Sequence, residues 1–253
     1  MVNIEIPEGV CDTHVHIDKF PTLGCQFMIP DLEREMKKYQ ISHCLVFSGK
    51  NDKRELTEKI IRASVVNPSL HCLFRSKLQD YLSDSYIRYA EKLLQEKKVL
   101  GIKINPSTER HRVTESVYEK PLVLCEDYEA LVLIHCGRWV EMSGWGFALD
   151  VARKYPKATF ILAHMGGTHP DLAIPAIDSA KDLKNVLFDT SQTRQLSVLR
   201  YGLEQLGDDR MLFASDMPWG NYLQNMMGLL QIDLEESELH KILRGNFHKL
   251  IGK

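Results

Sequence analysis

The stretch CDTHVHID, residues 11–18, is the first of eight short apolar runs that recur at intervals of roughly thirty residues. In an extended strand, successive side chains point to opposite faces, so His14 and His16 share one face and Val15 lies on the other. Two imidazoles on one face can share a cation. The other seven runs are ISHCLVFS, HCLFRSKL, VLGIKINP, ALVLIHCG, ATFILAHMGG, NVLFDTS and MLFASDMPWG.

Segments with the spacing of amphipathic helices separate the runs; they are 31–39, 53–66, 84–97, 116–128, 147–155, 171–182, 195–205 and 235–251. A strand followed by a helix, repeated along the chain, predicts a parallel sheet. An open doubly wound sheet would show the same alternation, but it usually binds a nucleotide through a Gly-rich turn, which this sequence lacks. We therefore expect an α/β fold, a slightly distorted (β/α)₈ TIM barrel forming a single domain over residues 1–253.

Metal-binding residue types stand at the ends of four runs. His135 closes the fifth run, His164 closes the sixth, and Asp216 lies near the end of the eighth. Because barrel enzymes build their sites at the C-terminal strand ends, these residues should converge with His14 and His16. Strand alternation predicts that each points inward together with the apolar residues two and four positions before it: Leu131 and Leu133, Phe160 and Leu162, Leu212 and Ala214.

The chemistry of these side chains favours a catalytic cation. Neutral imidazoles and carboxylates bind zinc at about 2.0–2.2 Å, and a catalytic site leaves one position open for water or substrate. The shell we expect is His14, His16, His135 and Asp216, holding Zn²⁺, with Mn²⁺ as the alternative ion. The cation would acidify a water molecule, and Asp216 or His164 would take its proton.

Several short motifs, taken in order, resemble the amidohydrolase superfamily, and most of all its amidohydrolase 2 branch of metal-dependent hydrolases and decarboxylases. They are D-T-H-V-H at 12–16, I-H-C-G around His135, A-H-M-G-G around His164, S-D-M-P-W-G around Asp216 and G-N-F-H-K-L-I-G from Gly245. The resemblance spans nearly the whole chain. It implies a TIM barrel whose catalytic metal is held by His14, His16, His135 and Asp216, with Asp216 also accepting a proton. It further implies that His164 binds a second metal or acts on substrate.

Lys103, in the fourth run, has two interpretations. It stands where binuclear members of the wider superfamily carry a carboxylated lysine that bridges two metals, so that His164 and Lys103 would hold a second ion. Within its strand Lys103 shares a face with Gly101 and Asn105, and we expect it at the barrel mouth, where its ammonium group would instead hold a substrate carboxylate. Both interpretations stay open, and with them the number of ions, one or two.

Residues that follow the strands indicate the substrate class. Arg138 and Trp139 come directly after the fifth run and Trp219 stands near the end of the eighth, and with Lys103 they are our candidate substrate-binding residues. A planar cation beside an aromatic wall suits an acidic or aromatic small molecule. Asp189, at the end of the seventh run, is a candidate partner that orients a metal-binding histidine.

Composition excludes several other partners. The net charge is −2 with both signs mixed along the chain, which gives no footprint for nucleic acid or an anionic membrane. No apolar stretch approaches the roughly 20 residues of a membrane span, and no signal peptide is evident, so we expect a cytoplasmic protein. The six cysteines lack C-x-x-C pairing and read as reduced thiols. The oligomeric state is left open, a homo-oligomer included.

These patterns predict a metal-dependent hydrolase that attacks a lactone, amide or ester with an activated water. The alternative is non-oxidative decarboxylation of an unsaturated or aromatic acid, because the resembling branch contains such enzymes. A TatD-type deoxyribonuclease is disfavoured, since those proteins carry a Glu ligand where this chain has Lys103, and the charge balance also opposes it. A non-enzymatic metal-binding barrel would show a closed shell with no open position.

Overall fold

Nine strands form one sheet within the residues that the computed structural model describes, 7–49, 54–137 and 139–252. They are β1 Val10–Phe20, β2 Cys25–Phe27, β3 Ile41–Ser48, β4 Leu70–Phe74, β5 Gly101–Ile104, β6 Leu131–Ile134, β7 Thr159–Leu162, β8 Val186–Asp189 and β9 Met211–Leu212. The short β2 pairs antiparallel with β1, and every other neighbouring pair is parallel. The eight apolar runs therefore supply the eight parallel strands.

Backbone hydrogen bonds join β1 to the segment that follows β9. Thr13 N donates to Phe213 O at 3.0 Å, and His16 N donates to Met217 O at 2.8 Å. Val15 and Met217 also form a parallel bridge. The ladder is irregular here because Asp216 has a left-handed backbone with φ of 57°. The prediction of a slightly distorted (β/α)₈ TIM barrel is confirmed.

The helices cover the outside of the sheet. They are α1 Ile29–Tyr39, α2 Arg54–Val66, α3 Leu78–Tyr81, α4 Asp84–Gln95, α5 Pro106–Glu109, α6 Glu119–Asp127, α7 Val140–Ser143, α8 Trp145–Lys154, α9 Pro170–Ser179, α10 Leu196–Leu206, α11 Tyr222–Leu230, α12 Glu236–His240 and α13 Asn246–Leu250, the last two joined by a π-helical turn at Lys241–Gly245. Each predicted helical segment matches an observed one to within a few residues, although Lys53 lies outside the described residues. In the described part of the chain, no helix has the length and apolarity needed to cross a membrane.

The helices that the sequence did not predict have identifiable causes. Helices α3, α5 and α7 are single turns, too short for a helical period to show. Helix α11 lies between β9 and α12, in a segment to which the sequence analysis assigned no helix. Its one clear signal is Asn221, whose side chain accepts a hydrogen bond from Gln224 N at 3.2 Å and caps the helix.

Two apolar layers lie on the two sides of the sheet. The inner layer fills the barrel and includes Leu131, Leu133 and Leu212, as the alternation predicted. Phe160 and Leu162, in contrast, belong to the outer layer, where strands pack on helices. The predicted inward direction of these two side chains is therefore wrong, because the chain turns left-handed just beyond β7.

Candidate metal centre

Three side chains beside the barrel's closing seam meet at one point. His14 Nε2 lies 3.1 Å from His16 Nε2. Asp216 Oδ1 lies 3.3 Å from His14 Nε2 and 3.0 Å from His16 Nε2. All three side chains are buried, and their donor atoms are close enough together to hold one ion. The structure thus brings together three of the four side chains predicted as ligands.

The spacing of these three donors fits a divalent cation. With bonds of about 2.0–2.2 Å, two ligand atoms lie roughly 2.8–3.6 Å apart, depending on whether they subtend a right or a tetrahedral angle. The observed separations of 3.0–3.3 Å fall inside that range. Two nitrogens and one carboxylate oxygen are also a donor set that zinc and manganese accept.

Asp189 orients His14. Its Oδ2 lies 2.8 Å from His14 Nδ1, and because a carboxylate oxygen only accepts, Nδ1 must carry the proton. His14 Nε2 is then left with its lone pair directed at His16 and Asp216. A carboxylate, a histidine and a metal in this order form a common arrangement in metalloproteins. His14, His164 and Asp189 also lie within reach of one ion, but the bond to Asp189 already engages His14 Nδ1.

Asp189→Asn is expected to weaken Zn²⁺ binding by about 10- to 100-fold, because the amide cannot hold His14 in the tautomer that exposes Nε2. Competition with a chromophoric chelator measures the dissociation constant. The control is Asp182→Asn, which alters an exposed carboxylate. Equal zinc affinity in the Asp189 variant and the wild type would refute the orienting role.

His164 reaches the site through an unusual backbone. His164 and Met165 both have left-handed φ values, 59° and 54°, and Gly166 follows with φ of 81°. A Cβ on Gly166 would come within 2.5 Å of the Ala176 side chain, so this turn needs glycine. Non-glycine residues rarely adopt this conformation, which is found most often at functional sites.

His135 contacts His164 and is not part of the three-donor group. Its Nδ1 lies 3.1 Å from His164 Nε2, and the two rings meet edge to face. Both residues line the same cavity as His16 and Asp216. The place of His135 in the metal shell therefore stays a prediction.

Burial controls the protonation of these groups. It lowers the pKa of His16 to about 4 and holds the pKa values of His14 and His135 well below the ordinary one. Burial opposes ionisation of Asp216, yet His14 and the hydrogen bond from His16 keep its pKa below the usual range. Near neutral pH the site therefore offers neutral nitrogens and a carboxylate, the forms that bind a cation.

The sequence analysis missed two residues that fix the position of Asp216. Gln192 Nε2 donates to Asp216 Oδ2 at 3.2 Å, leaving Oδ1 toward the histidines. Asn225, on α11, accepts from Gln192 N at 2.8 Å and donates to Ser215 O at 3.0 Å. The side-chain amide of Asn225 thereby connects the loop that carries Gln192 to the loop that carries Asp216. No local motif marks these residues, because the contacts join separate loops.

Asp12 fastens the seam beneath the site. Its Oδ1 accepts hydrogen bonds from His14 N at 3.1 Å and from Ser215 N at 2.9 Å. It therefore ties the strand that carries the two histidines to the loop that carries Asp216. Burial, against these hydrogen bonds, raises the pKa of Asp12 to about 7. The sequence analysis included Asp12 in the D-T-H-V-H motif but gave it no role.

Lys103 lies next to the C-terminal end of β5, with its side chain inside the barrel. Its side chain is fully buried, its Nζ stands 5.0 Å from the Phe47 ring centroid, and it has no hydrogen-bond partner among the described residues. Burial lowers the pKa of Lys103 to about 7, although Asp189 and Asp216 act in the opposite direction. Lys103 does not line the cavity in this structure. The roles predicted for Lys103, in binding substrate or a second metal, stay predictions.

A large cavity opens above the three donors. Its volume is about 1140 Å³, and His16 and Asp216 line it. The wall also carries Arg75, Asn105, Thr108, Arg110, Trp139, Gln192 and Trp219. Of the candidate substrate-binding residues, Trp139 and Trp219 therefore face the cavity, whereas Arg138 lies outside the described residues. Two arginines and two tryptophans among the lining residues form a cationic and aromatic wall.

A barrel with two histidines and an aspartate gathered at its C-terminal strand ends is the architecture of metal-dependent barrel enzymes. The family model described as Amidohydrolase (Amidohydro_2) matches residues 83–253, about two thirds of the chain. The chain therefore belongs to this amidohydrolase family, and it is an enzyme of the amidohydrolase type. No curated protein matches the sequence.

Solved structures share the fold at low identity. A dihydroxybenzoic acid decarboxylase from Polaromonas, with manganese and the inhibitor 2-nitroresorcinol, aligns at TM-score 0.78 and 15% identity over 97% of each chain. A probable 2-pyrone-4,6-dicarboxylic acid hydrolase from Acinetobacter baumannii aligns at 0.73 and 14%, covering 97% of this chain and 100% of that one. A zinc-containing amidohydrolase from Burkholderia multivorans aligns at 0.75 and 11%, covering 96% and 99%. Identities this low establish the TIM-barrel fold alone.

Proposed function

We propose that this protein is a single-domain, metal-dependent hydrolase that opens a lactone, ester or amide in a small acidic or aromatic molecule. One observation carries the proposal. The His14, His16 and Asp216 donors meet at coordination spacing, and two of them line a cavity of about 1140 Å³. A closed structural metal site would have no such opening toward substrate.

The residues proposed to hold the ion are His14, His16, Asp216 and, completing the shell, His135. Zn²⁺ suits these donors best, with Mn²⁺ as the alternative. When bound, such an ion lowers the pKa of a coordinated water and polarises a substrate carbonyl. Burial keeps these histidines neutral, so the ion does not have to compete with the second proton of an imidazolium.

Asp216 and His164 are the proposed proton carriers. Asp216 would take the proton of the attacking water and deliver it to the leaving oxygen or nitrogen as the acyl bond breaks. Gln192 orients it, since the Nε2 hydrogen bond fixes Oδ2 while Oδ1 faces the histidines. His164 faces the same cavity and would bind or protonate the substrate there.

Four residues remain our proposed substrate-side contacts. Trp139 and Trp219 would stack against an unsaturated or aromatic ring, and Arg138 would bind a carboxylate. Lys103 could reach substrate only after its buried Nζ became exposed. In the other interpretation, which stays open, the neutral amine reacts with carbon dioxide, and the carboxylated Lys103 would hold a second ion with His164.

The second candidate function is non-oxidative decarboxylation of an aromatic acid. The cationic and aromatic cavity wall favours it, because that wall suits an aromatic carboxylate as well as it suits a carboxylated lactone. Decarboxylation would use the same donors but would protonate a ring carbon, a role for His164, and would consume no water.

Two probes separate these functions. Zinc- or manganese-loaded protein is incubated with 2-pyrone-4,6-dicarboxylate and with 2,6-dihydroxybenzoate, while ring absorbance, carbon dioxide release and ¹⁸O uptake from labelled water are followed. A hydrolase incorporates ¹⁸O into a ring-opened acid and stops when a chelator removes the metal. Carbon dioxide release without ¹⁸O uptake would favour the decarboxylase. Turnover that persists in chelator would contradict both metal-dependent functions.

A further inference from the structure

A continuous chain of hydrogen bonds connects Asp189 to His135. Ser191 Oγ lies 2.5 Å from Asp189 Oδ1 and 2.8 Å from His164 Nδ1. His164 Nε2 in turn lies 3.1 Å from His135 Nδ1. Asp189, Ser191 and His164 are all buried, which strengthens each bond and restricts the rings. The same Asp189 contacts His14 through its other oxygen.

The hydrogen bonds between His164, Ser191 and Asp189 have only one possible order of donors and acceptors. Asp189 Oδ1 already accepts from the backbone nitrogens of His164 and Ser191, at 2.9 and 3.1 Å, so it acts as an acceptor. The Ser191 hydroxyl must therefore donate to Asp189, and its oxygen accepts from His164 Nδ1. The Ser191 carbonyl, 3.3 Å from the same Nδ1, can likewise only accept. Neutral His164 is thus the Nδ1–H tautomer.

The tautomer of His164 also determines the direction of its hydrogen bond with His135. With the proton on Nδ1, His164 Nε2 carries a lone pair, so His135 Nδ1 must donate to it. Neutral His135 is then also the Nδ1–H tautomer, and its Nε2 lone pair is left for a metal. His14 reaches the same state through Asp189 Oδ2. One carboxylate therefore sets the tautomers of three histidines.

We propose that Ser191 is a positioning residue that holds His164, and through it His135, in the Nδ1–H tautomer. The tautomers follow from the hydrogen bonds alone, and only their roles rest on the proposed function. In that function, His164 presents a nitrogen that accepts a proton and His135 a nitrogen that binds metal. Without the Ser191 hydroxyl, the carbonyl at 3.3 Å is the remaining acceptor, and the ring is held less firmly. Ser191 itself does not line the substrate cavity.

The test is the tautomer of His164 in metal-free protein, read from long-range ¹H–¹⁵N NMR spectra of ¹⁵N-histidine-labelled wild type and Ser191→Ala. A His164→Gln spectrum assigns the signals. We expect wild-type His164 as one Nδ1–H form with a slowly exchanging proton. In Ser191→Ala the Nε2–H fraction should rise roughly 5- to 10-fold, as the loss of one hydrogen bond implies. Zn²⁺ affinity should fall about 10-fold.

Thr190→Ala is the matched control, because it also removes a buried hydroxyl from this loop. The Thr190 hydroxyl accepts from Ala214 N and bonds no histidine ring. It should leave the His164 spectrum unchanged. Wild-type His164 in the Nε2–H form would overturn the proposal even if Ser191→Ala failed to fold. Identical spectra of wild type and a folded Ser191→Ala would also overturn it. Because the spectra need no substrate, failure of the proposed hydrolase would leave this result standing.

Discussion

Asp216→Asn is expected to lower turnover by at least ~100-fold while the protein stays folded. The amide has no basic oxygen to accept the water proton, and it is a weaker metal donor than a carboxylate. In the wild type, Gln192 Nε2 donates to Asp216 Oδ2 at 3.2 Å. The asparagine can place its own NH₂ group against that donor. Steady-state kcat on the substrate found with the two probes measures the loss, and the thermal midpoint checks the fold.

Asp171→Asn is the control for this variant, because Asp171 is an exposed carboxylate near the same end of the barrel. It should retain wild-type turnover. If Asp216→Asn, with metal supplied in excess, kept turnover within about threefold of wild type, Asp216 would be neither the proton acceptor nor an essential ligand.

Lys103→Met is expected to raise the free energy of unfolding by roughly 1 to 4 kcal/mol at pH 7, since it replaces a buried ionisable group with an apolar one of similar length. For a chain of this size, each kcal/mol of added stability raises Tm by roughly 2–4 °C. The cause is the buried Nζ, which has no hydrogen-bond partner among the described residues. Lys157→Met, on the surface, controls for the change of residue type.

The stability gain from Lys103→Met should depend on pH in a defined direction. Burial lowers the pKa of Lys103 to about 7 from 10.5, so between these values the unfolded chain binds the extra proton. Wild-type stability therefore rises with pH across that window. The advantage of the variant is largest at pH 7 and below, and it vanishes toward pH 10.5. A variant less stable than wild type at pH 7 would instead indicate a carboxylated or metal-bound Lys103.

The barrel could be predicted from the sequence because its strands are local. Each apolar run is bounded by polar or turn-forming residues, and the period of two placed Leu131 and Leu133 inside without any knowledge of neighbours. The histidines of β1 follow the same rule. Strand order then needs only the right-handed crossover, which gives parallel neighbours.

The parts of the site that the sequence could not predict depend on irregular backbone and on contacts between loops. His164 and Asp216 lie in left-handed turns with φ of 59° and 57°, where strand alternation no longer says which way a side chain points. Gln192 contacts Asp216, 24 residues away in the sequence, and Ser191 contacts His164, 27 residues away, and no motif marks either residue. Lys103 was placed on the correct face, but burial depends on how its neighbours close above it.

The most direct test of the metal centre is the metal content per chain, by elemental analysis of protein purified without chelator or a metal-affinity tag, compared with Asp216→Asn. We expect about one equivalent of zinc or manganese in wild type, or about two with Lys103 carboxylated, and a large loss in the variant. Wild-type protein that holds no metal even after reconstitution, or an Asp216→Asn variant that retains the full content with unchanged affinity, would contradict a centre built on His14, His16 and Asp216.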